Sequence, residues 1–280
     1  MFYLLKRFIQ MKILLNNNDL NEALNKATNL GFIPTMGSLH KGHISLIKKS
    51  QKKCKKTLVS IFINPSQFNN KNDFNNYPRN NKKDLKILKK LKVNFVYIPS
   101  INQIYNFKRQ SKIKLQKIDK IMCAKYRKGH FEGVIDVMDR FTNLIKPQKI
   151  FMGEKDFQQL YLVKRYIEKK YPTKVITCKT VRNLNKLALS SRNFLLNKKE
   201  LVKAEKLIQN LINFKKKIKN EKYKKKIIVN KKNELEMLFN VHIEYMELRN
   251  IFNLKNSNKI KNSKIFIAFY LKNIRLIDNI

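Results

Sequence analysis

The stretch "GFIPTMGSLHKGHISLIKKS", Gly31 to Ser50, concentrates residue types that are scarce elsewhere in the chain. It holds two of the four histidines, three of the six glycines and one of the six prolines. Its first five residues are a short apolar run that predicts a strand, and residues 42–55 have the apolar spacing of a helix. The histidines and glycines therefore lie in a strand-to-helix turn, where free N–H groups and the helix dipole favour an anion such as phosphate.

The turn carries an H-x-G-H motif, in which His40 and His43 stand three residues apart at the start of the predicted helix. Both imidazoles can reach one anionic centre from there, while Gly37 and Gly42 allow the backbone to turn closely around a ligand. A metal site is the weaker interpretation, because no third His, Cys or carboxylate lies nearby at ligand spacing. The motif therefore favours phosphate chemistry.

Four further apolar runs are bounded by turn residues: "LVSIFIN" (58–64), "VNFVYIP" (93–99), "KIFMG" (149–153) and "KVITCKTV" (174–181). Helical patterns at 82–91, 134–145 and 156–170 alternate with them. This alternation is typical of βα units and a parallel sheet. Residues 1–180 are therefore predicted to form a doubly wound, Rossmann-like α/β domain that binds its ligands at the carboxyl ends of the strands.

The composition changes after Val181, since all six glycines lie at or before Gly153. Two Lys-rich helices are predicted at 197–219 and 222–239, followed by strands at 242–250 and 264–271. Residues 181–280 therefore predict a second, smaller α+β domain that acts as a lid.

The formal charge of +43 on 280 residues would ordinarily suggest a nucleic-acid or anionic-membrane partner. Here the positive residues are spread from end to end, and Asn and Ile are abundant while Gly, Pro and Trp are scarce. That pattern is typical of codon bias in an AT-rich genome. We therefore expect no specific nucleic-acid or membrane partner, and the use of the charge stays open.

Cysteine usage and the apolar segments favour a cytoplasmic protein. Cys54, Cys123 and Cys178 form no C-x-x-C pair, which indicates neither a disulfide framework nor a zinc site. No segment has the features of a signal peptide or a membrane span. Because Met11 begins a self-sufficient sequence, we expect residues 1–10 to be an N-terminal extension or a mis-assigned start.

Several strings resemble those of one family: "PTMGSLHKGH" (34–43), "VSIFINPSQF" (59–68), "DFNNYPR" (73–79), "GHFEGV" (129–134), "IFMGEKDFQQL" (150–160), "LALSSRN" (187–193) and "RLIDN" (275–279). They occur in order across almost the whole chain and resemble the pantoate–β-alanine ligases of the H-x-G-H nucleotidyltransferase superfamily. The resemblance implies a two-step reaction: ATP and pantoate give pantoyl adenylate and pyrophosphate, and β-alanine then gives pantothenate and AMP.

The resemblance implies catalytic roles for His40, His43 and Lys155, with His43 as the proton donor. It implies that ATP is bound by the H-x-G-H turn, the "GEKD" turn and a mobile phosphate loop at the domain junction. The implied ATP-binding residues are Met36, Gly37, Ser38, Leu39, His40, Lys41, Gly42, His43, Gly153, Glu154, Lys155, Asp156, Val181, Leu189, Ser190, Ser191 and Arg192.

For pantoate and β-alanine, the resemblance implies Gln67 and Gln159, whose amides suit a ligand with hydroxyls and a carboxylate. Asn64, Tyr77 and Arg127 are further candidates for the pocket lining, whereas the pattern around His130 favours a structural histidine. No protein-bound metal is expected, because Mg²⁺ is expected to arrive with ATP as its substrate complex. The resemblance also implies a homodimer.

Three positions depart from the family pattern. Lys186 stands where glycine is usual and is expected to stiffen the phosphate loop, and Leu189 replaces a common methionine. Lys83 precedes Asp84 where an acidic pair is frequent, which leaves a role for Asp84 towards Mg²⁺ or β-alanine open.

Two other functions compete with the ligase. An RNA-binding protein or tRNA-synthetase relative would need a stem- or anticodon-binding module, and the sequence shows none. An inactive scaffold is disfavoured because the candidate residues, His40 and Lys155 among them, are all present.

Overall fold

The computed structural model describes residues 10–68, 74–105, 113–218 and 224–280. Nine strands are described: β1 (Lys12–Leu14), β2 (Leu30–Thr35), β3 (Lys56–Ile61), β4 (Phe95–Tyr97), β5 (Lys149–Gly153), β6 (Lys174–Cys178), β7 (His242–Asn250), β8 (Ser263–Leu271) and β9 (Ile274–Asn279). The described α-helices are α1 (Asn17–Leu24), α2 (Lys41–Lys53), α3 (Asn81–Lys90), α4 (Ile101–Ile104), α5 (Met122–Tyr126), α6 (His130–Ile145), α7 (Phe157–Lys170), α8 (Lys198–Lys217) and α9 (Lys224–Phe239).

The first six strands form a parallel sheet in the order β1-β4-β3-β2-β5-β6. The chain moves outwards from β2 through β3 and β4, and then crosses back to β5 on the other side of β2. The switch point of this doubly wound sheet therefore lies between β2 and β5, which is where such sheets bind their ligands.

Helices cover both faces of this sheet. Leu20, Phe141 and Leu162 of α1, α6 and α7 belong to the core on one face, and Ile47 and Leu88 of α2 and α3 belong to the core on the other. Because both faces are covered, the strands read as nearly continuous apolar runs, as parallel strands do.

The remaining strands form an antiparallel sheet in the order β7-β8-β9. Along β8 the side chains alternate between two cores, since Ile265 and Ile267 pack with α8 and α9 while Phe266 and Ala268 pack with the core of the large sheet. The small sheet is thus sandwiched between its own helices and the large domain. This contact places the last strand beside the switch point.

The structure confirms the predicted fold class, and the predicted strands and helices are present with ends shifted by up to a few residues. It adds β1, α1, α4, α5 and β9, which the sequence patterns had not indicated. The first two residues of the predicted 222–239 helix, the beginning of the "DFNNYPR" string and residues 1–9 lie outside the described residues. No helix within the described ranges is long and apolar enough to cross a membrane.

Candidate active site

A cavity of about 290 Å³ opens at the carboxyl ends of β2 and β5, at the switch point of the sheet. The turn after β2 contributes Met36, His40 and His43, and the turn after β5 contributes Lys155. The small domain closes the cavity with residues from β8, β9 and the segment before α8. The H-x-G-H and "GEKD" turns are far apart in sequence, and their side chains therefore meet in this cavity.

The H-x-G-H turn is organised by hydrogen bonds of its own. His40 is the N-cap of α2, where its Nδ1 accepts the N–H of Gly42 at 3.1 Å. Nδ1 of His43 accepts the N–H of His40 at 3.3 Å, which completes a capping box. Since both Nδ1 atoms act as acceptors, each neutral ring carries its proton on Nε2. The two rings, with centroids 4.1 Å apart, therefore offer N–H donors that the capping bonds do not use.

The environment keeps both histidines neutral at pH 7. Burial, with a smaller contribution from the Lys155 ammonium, lowers the pKa of His40 from 6.5 to about 4. Burial likewise lowers the pKa of His43 to about 3, with smaller contributions from His40 and Lys155. The positive charge of the cluster therefore belongs to Lys155, and the histidines act as neutral donors.

Lys155 lies in the short 3₁₀ turn Glu154–Asp156 that joins β5 to α7. Its ammonium lies 3.6 Å from the carboxylate of Asp156, and its side chain is 17% exposed. The Asn279 side chain, from β9, donates to the backbone carbonyls of both Glu154 and Lys155, at 2.9 and 2.8 Å. The small domain thus fixes the backbone that carries the catalytic candidate.

The junction loop, residues 181–192, runs from β6 towards α8 and faces the cavity. The N–H of Leu189 donates to the carbonyl of Val181 at 2.9 Å, which closes the loop into a narrow hairpin. The Ser190 hydroxyl accepts the N–H of Arg192 at 3.3 Å, and the Arg192 guanidinium donates to the carbonyl of Arg275 at 3.1 Å. Hydroxyls, N–H groups and a guanidinium are therefore presented together, a donor set suited to phosphate.

Two glutamines line the same cavity as the histidines. Gln67 ends the 3₁₀ turn Pro65–Gln67 after β3, and Gln159 lies in the first turn of α7. Around them the wall is largely apolar and is formed by Pro34, Phe62, Val134, Val137, Met138 and Phe141. A small acid with both polar and methyl groups suits this combination of amides and apolar walls.

Gln67 is held in place by a pair of side chains at the start of α6. His130 Nδ1 lies 2.7 Å from the Gln67 carbonyl, so this nitrogen carries the proton and donates it. Nε2 of His130 accepts from the guanidinium of Arg127 at 2.8 Å, and Arg127 also donates to the Gln67 carbonyl at 3.2 Å. Burial and then the charge of Arg127 lower the pKa of His130 to about 3. Both ring nitrogens of His130, which also lines the cavity, are therefore used in contacts that fix the Gln67 backbone and the Arg127 side chain.

Comparison with known proteins identifies the family. The family model described as pantoate-beta-alanine ligase matches residues 10–280. The chain belongs to the pantoate-beta-alanine ligase family. A pantothenate synthetase of Flavobacterium psychrophilum is 40% identical over 261 residues, which cover 90% of this chain and 91% of that protein.

Solved structures of the family have the same fold. The pantoate-beta-alanine ligase of Francisella tularensis, determined with beta-gamma ATP and beta-alanine, is 34% identical with a TM-score of 0.84, and the match covers 97% of each chain. The pantothenate synthetase of Thermus thermophilus is 27% identical with a TM-score of 0.88, and the match covers 96% of this chain and 99% of that one.

Most residues that the ligase-family motifs had suggested line the cavity: Met36, His40, Gly42, His43, Gln67, Tyr77, Arg127, Gly153, Lys155, Asp156, Gln159, Val181, Leu189, Ser190, Ser191 and Arg192. The other ATP-binding candidates, Gly37, Ser38, Leu39, Lys41 and Glu154, belong to the same two turns but do not form the cavity wall. The Glu154 carboxylate instead pairs with Lys264 of β8 at 3.2 Å.

Asn64 corrects one expectation of the sequence analysis. It is fully buried and does not line the cavity. Its amide donates to the Gly133 carbonyl at 3.2 Å, and its oxygen accepts from Ser66 and from the Tyr105 hydroxyl. The side chain therefore fixes the 3₁₀ turn that ends at Gln67, and its contact with the substrate would be indirect.

Sequence reasoning missed several cavity residues that ligase-family motifs contain or flank. Arg275 and Asp278 lie in the quoted "RLIDN" string, and Ser60 lies in "VSIFINPSQF", yet none had been assigned a role. Ser60 lines the cavity, is fully buried, and its hydroxyl has no hydrogen-bond partner. A search for polar residues on the predicted strands would have found Ser60.

The departure at Lys186 has a structural explanation. Lys186 has a φ of +73°, which lies in the left-handed region that favours glycine. The loop therefore contains a lysine in a strained backbone conformation. Its carbonyl accepts from the Arg182 guanidinium at 2.9 Å, which helps to hold this conformation.

Proposed function

We propose that the chain is a pantoate–β-alanine ligase that joins pantoate to β-alanine through a pantoyl adenylate. The observation that carries the proposal is the single cavity at the switch point. It combines neutral imidazole donors, a lysine and the junction loop with two glutamines and an apolar wall, in a chain of this ligase family. The cavity therefore has one part suited to a phosphate chain and, next to it, a part suited to a small branched acid.

In the first step, a pantoate carboxylate oxygen attacks the α-phosphorus of ATP, and the bond from that phosphorus to the bridging oxygen of pyrophosphate breaks. Negative charge grows on the phosphate oxygens as this happens. Lys155 supplies a positive charge there, and His40 and His43 supply N–H donors, so the charge is stabilised in a site with little water. Ser190, Ser191 and Arg192 are assigned to the phosphates of the leaving pyrophosphate.

In the second step, the amine of β-alanine attacks the carbonyl carbon of the adenylate, the bond to AMP breaks, and one proton is released. Gln67 and Gln159 are assigned to the hydroxyls and carboxylate of pantoate, and the apolar wall to its methyl groups. Tyr77 and Arg127 are assigned to the rim of this pocket. The acid is thereby held still during both attacks, which lowers the entropic cost of each.

Mg²⁺ is proposed to enter as part of the ATP complex. Among the described residues no group of three or more His, Cys, Asp or Glu side chains is placed to hold a metal ion. In such a complex Mg²⁺ keeps most of its waters and is bound mainly by phosphate oxygens. Carried in with ATP, Mg²⁺ would supply positive charge beside the phosphates, next to Lys155 and Arg192.

The division into a large domain, residues 1–180, and a small lid domain, residues 181–280, is part of the proposal. So are a homodimer and a cytoplasmic location, which rest on the family resemblance. The three cysteines, Cys54, Cys123 and Cys178, are buried and form no disulfide bond, which is compatible with a reducing compartment. Light scattering on the purified chain tests the dimer, and the alternative RNA-binding function is not favoured by the family match.

The proposal is tested by omitting substrates one at a time. Pyrophosphate release is expected from ATP and pantoate, whereas rapid AMP release is expected only when β-alanine is added. AMP formation that depends on tRNA and an amino acid, and not on pantoate, would overturn the proposal. The same preparation should bind tRNA at about 0.15 M salt no more tightly than the roughly 10⁻⁴ to 10⁻⁶ M of non-specific complexes.

The assignment of pantoate is tested by Gln67→Ala and Gln159→Ala. Each is expected to raise the KM for pantoate roughly ten- to a hundredfold while changing the KM for ATP little, since a ligand oxygen loses its partner. Gln158→Ala is the matched control, because Gln158 is buried, does not line the cavity and donates to the carbonyls of Asp119 and Ile121. Equal losses for both substrates would contradict the assignment.

A further inference from the structure

The backbone before the two histidines adopts a conformation that its sequence does not favour. Gly37 has a φ of +81° and Ser38 a φ of +52°. Glycine takes such values freely, but serine does so only at a cost in backbone strain. Two consecutive left-handed residues turn the N–H groups of Ser38 and Leu39 to the same side. An outside contact is needed to hold this turn in place.

Asp84, in the first turn of α3, supplies that contact. Its Oδ2 accepts the N–H of Ser38 at 2.7 Å, and its Oδ1 accepts the N–H of Leu39 at 2.8 Å. Asp84 is only 1% exposed, so both bonds form away from water. Hydrogen bonds to a charged acceptor are the stronger kind, and one oxygen per donor fixes the orientation of the loop. The fit is close, because a Cβ on Gly37 would lie 3.0 Å from Oδ2.

The contact is transmitted to the histidines through the backbone. Leu39 directly precedes His40, whose own N–H donates to His43 and whose ring accepts from Gly42. A shift of the Ser38 and Leu39 peptides therefore moves the N-cap residue and both imidazoles together. Asp84 itself does not line the cavity.

We propose that Asp84 is a positioning residue for adenylation, which sets His40 and His43 through the loop and is not itself a ligand of Mg²⁺ or of β-alanine. This rests on the proposed function. Both carboxylate oxygens already accept a backbone N–H, so a metal ion or an ammonium would have to compete with the loop for them. The neighbouring residue, Lys83, adds no second carboxylate that would attract a cation.

The decisive variant is Asp84→Asn, which keeps the shape but offers one acceptor oxygen in place of two. We expect pantoate-dependent pyrophosphate release to fall about 10- to 100-fold in kcat, because small misplacements of reacting groups have effects of this size. The KM for β-alanine and the Mg²⁺ concentration for half-maximal activity should change less than about twofold. Asp119→Asn is the control, since Asp119 is buried but does not line the cavity.

A second readout needs no activity. The chain has four histidines, so their ring signals can be resolved and assigned by NMR in the ligand-free protein. Asp84→Asn should shift the signals of His40 and His43 and leave those of His130 and His242 unchanged. The unchanged pair also reports that the variant is folded, and Asp84→Glu, which keeps the charge but displaces it by one methylene, serves if Asp84→Asn does not fold.

The outcomes separate this proposal from the proposed function. If the wild type releases no pyrophosphate with pantoate, the proposed function fails, and the NMR comparison still decides whether Asp84 sets the histidines. If Asp84→Asn keeps the wild-type rate and ring signals, the positioning role is wrong. Full recovery of Asp84→Asn by excess Mg²⁺ or β-alanine would likewise overturn it, because that would make Asp84 a ligand.

Discussion

The H-x-G-H turn and the junction loop both face the cavity, but they are held in different ways. The turn is fixed by a capping box between His40 and His43 and by one carboxylate from α3. The junction loop is fixed mainly by the small domain, through Arg182 to Asp278 and Arg192 to the carbonyl of Arg275. The turn is therefore held by contacts within the large domain, whereas the junction loop is held by contacts to β9 within the small domain.

This difference suggests separate consequences for stability and chemistry. Changes in the contacts of the junction loop should loosen the small domain, because Asp278 of β9 is almost fully buried and relies on its partner. Changes at the turn and at Lys155 should affect catalysis while the fold persists. The following experiments test that separation, from the largest expected effect to the smallest.

Arg182→Ala should be the most damaging change. Arg182 donates to both carboxylate oxygens of Asp278, at 2.6 and 2.8 Å, and its loss leaves a buried charge unpaired. We expect the free energy of unfolding, measured by urea denaturation, to fall by about 3 to 5 kcal/mol. The control is Lys272→Ala, which breaks the exposed pair with Glu200 and should cost at most about 1 kcal/mol. Equal, small effects would show that the junction does not rely on this pair.

Lys155→Ala and His43→Ala should each lower kcat/KM about a hundredfold or more with little change in the free energy of unfolding. Each variant removes a donor to charge that develops on phosphate in the transition state. Lys169→Ala, at an exposed position of α7, is the control for loss of a lysine. Near-normal turnover of either variant, measured as pyrophosphate release, would remove that residue from the catalytic set.

The partly buried histidines of the turn should make the fold sensitive to acid. Burial lowers the pKa of His40 to about 4 and that of His43 to about 3. Below about pH 6.5 both histidines therefore stay neutral in the folded state, whereas in the unfolded chain, where their pKa is near 6.5, they take up protons. Stability should therefore fall as the pH drops from about 6.5 towards 4, by up to about 1.4 kcal/mol per pH unit for each histidine. His43→Gln should reduce this loss of stability per pH unit, as measured by thermal unfolding at a series of pH values. An unchanged slope would show that the His43 ring takes up a proton in the folded state as readily as in the unfolded chain.

Lys186→Gly should produce the smallest effect and the only gain. At a φ of +73° glycine removes strain, although it also adds entropy to the unfolded chain, so we expect at most about 1 kcal/mol of added stability. Lys206→Gly, in the interior of α8, should instead cost about 1 kcal/mol. A loss of stability in both variants would mean that the Lys186 side chain makes a favourable contact that outweighs the strain.

Local patterns predicted the elements that carry strong periodicity, and they failed on short or polar ones. The strand at Lys149–Gly153 was predicted with its observed ends, and α6 was recognised from the spacing of Val134, Met138 and Phe141. In contrast, β1 has three residues, and β9 is the edge strand of the small sheet with the polar sequence "IRLIDN". Both are strands because a neighbour supplies hydrogen bonds, which a local pattern does not reveal.

The candidate site divides in the same way. His40, His43, Lys155 and the two glutamines were predicted because chemically distinctive residues follow predicted strands or match family strings. Asn64 was placed wrongly, since its string identifies the turn but not the direction in which the amide points. Asp84 had no clear role in the sequence, because its partners are backbone N–H groups 45 and 46 residues away.

The sequence by itself determined the α/β class, the order of the strands along the chain, the phosphate-type turn after β2 and the resemblance to a ligase family. These depend on periodicity and on residue types at fixed short spacing. Only the tertiary structure decided which side chains share the cavity, that both histidines of the turn are neutral, and that β9 holds the "GEKD" backbone through Asn279. The physical reason is that burial and long-range hydrogen bonds arise when distant segments pack together. Neither can be predicted from residues that are adjacent in the sequence.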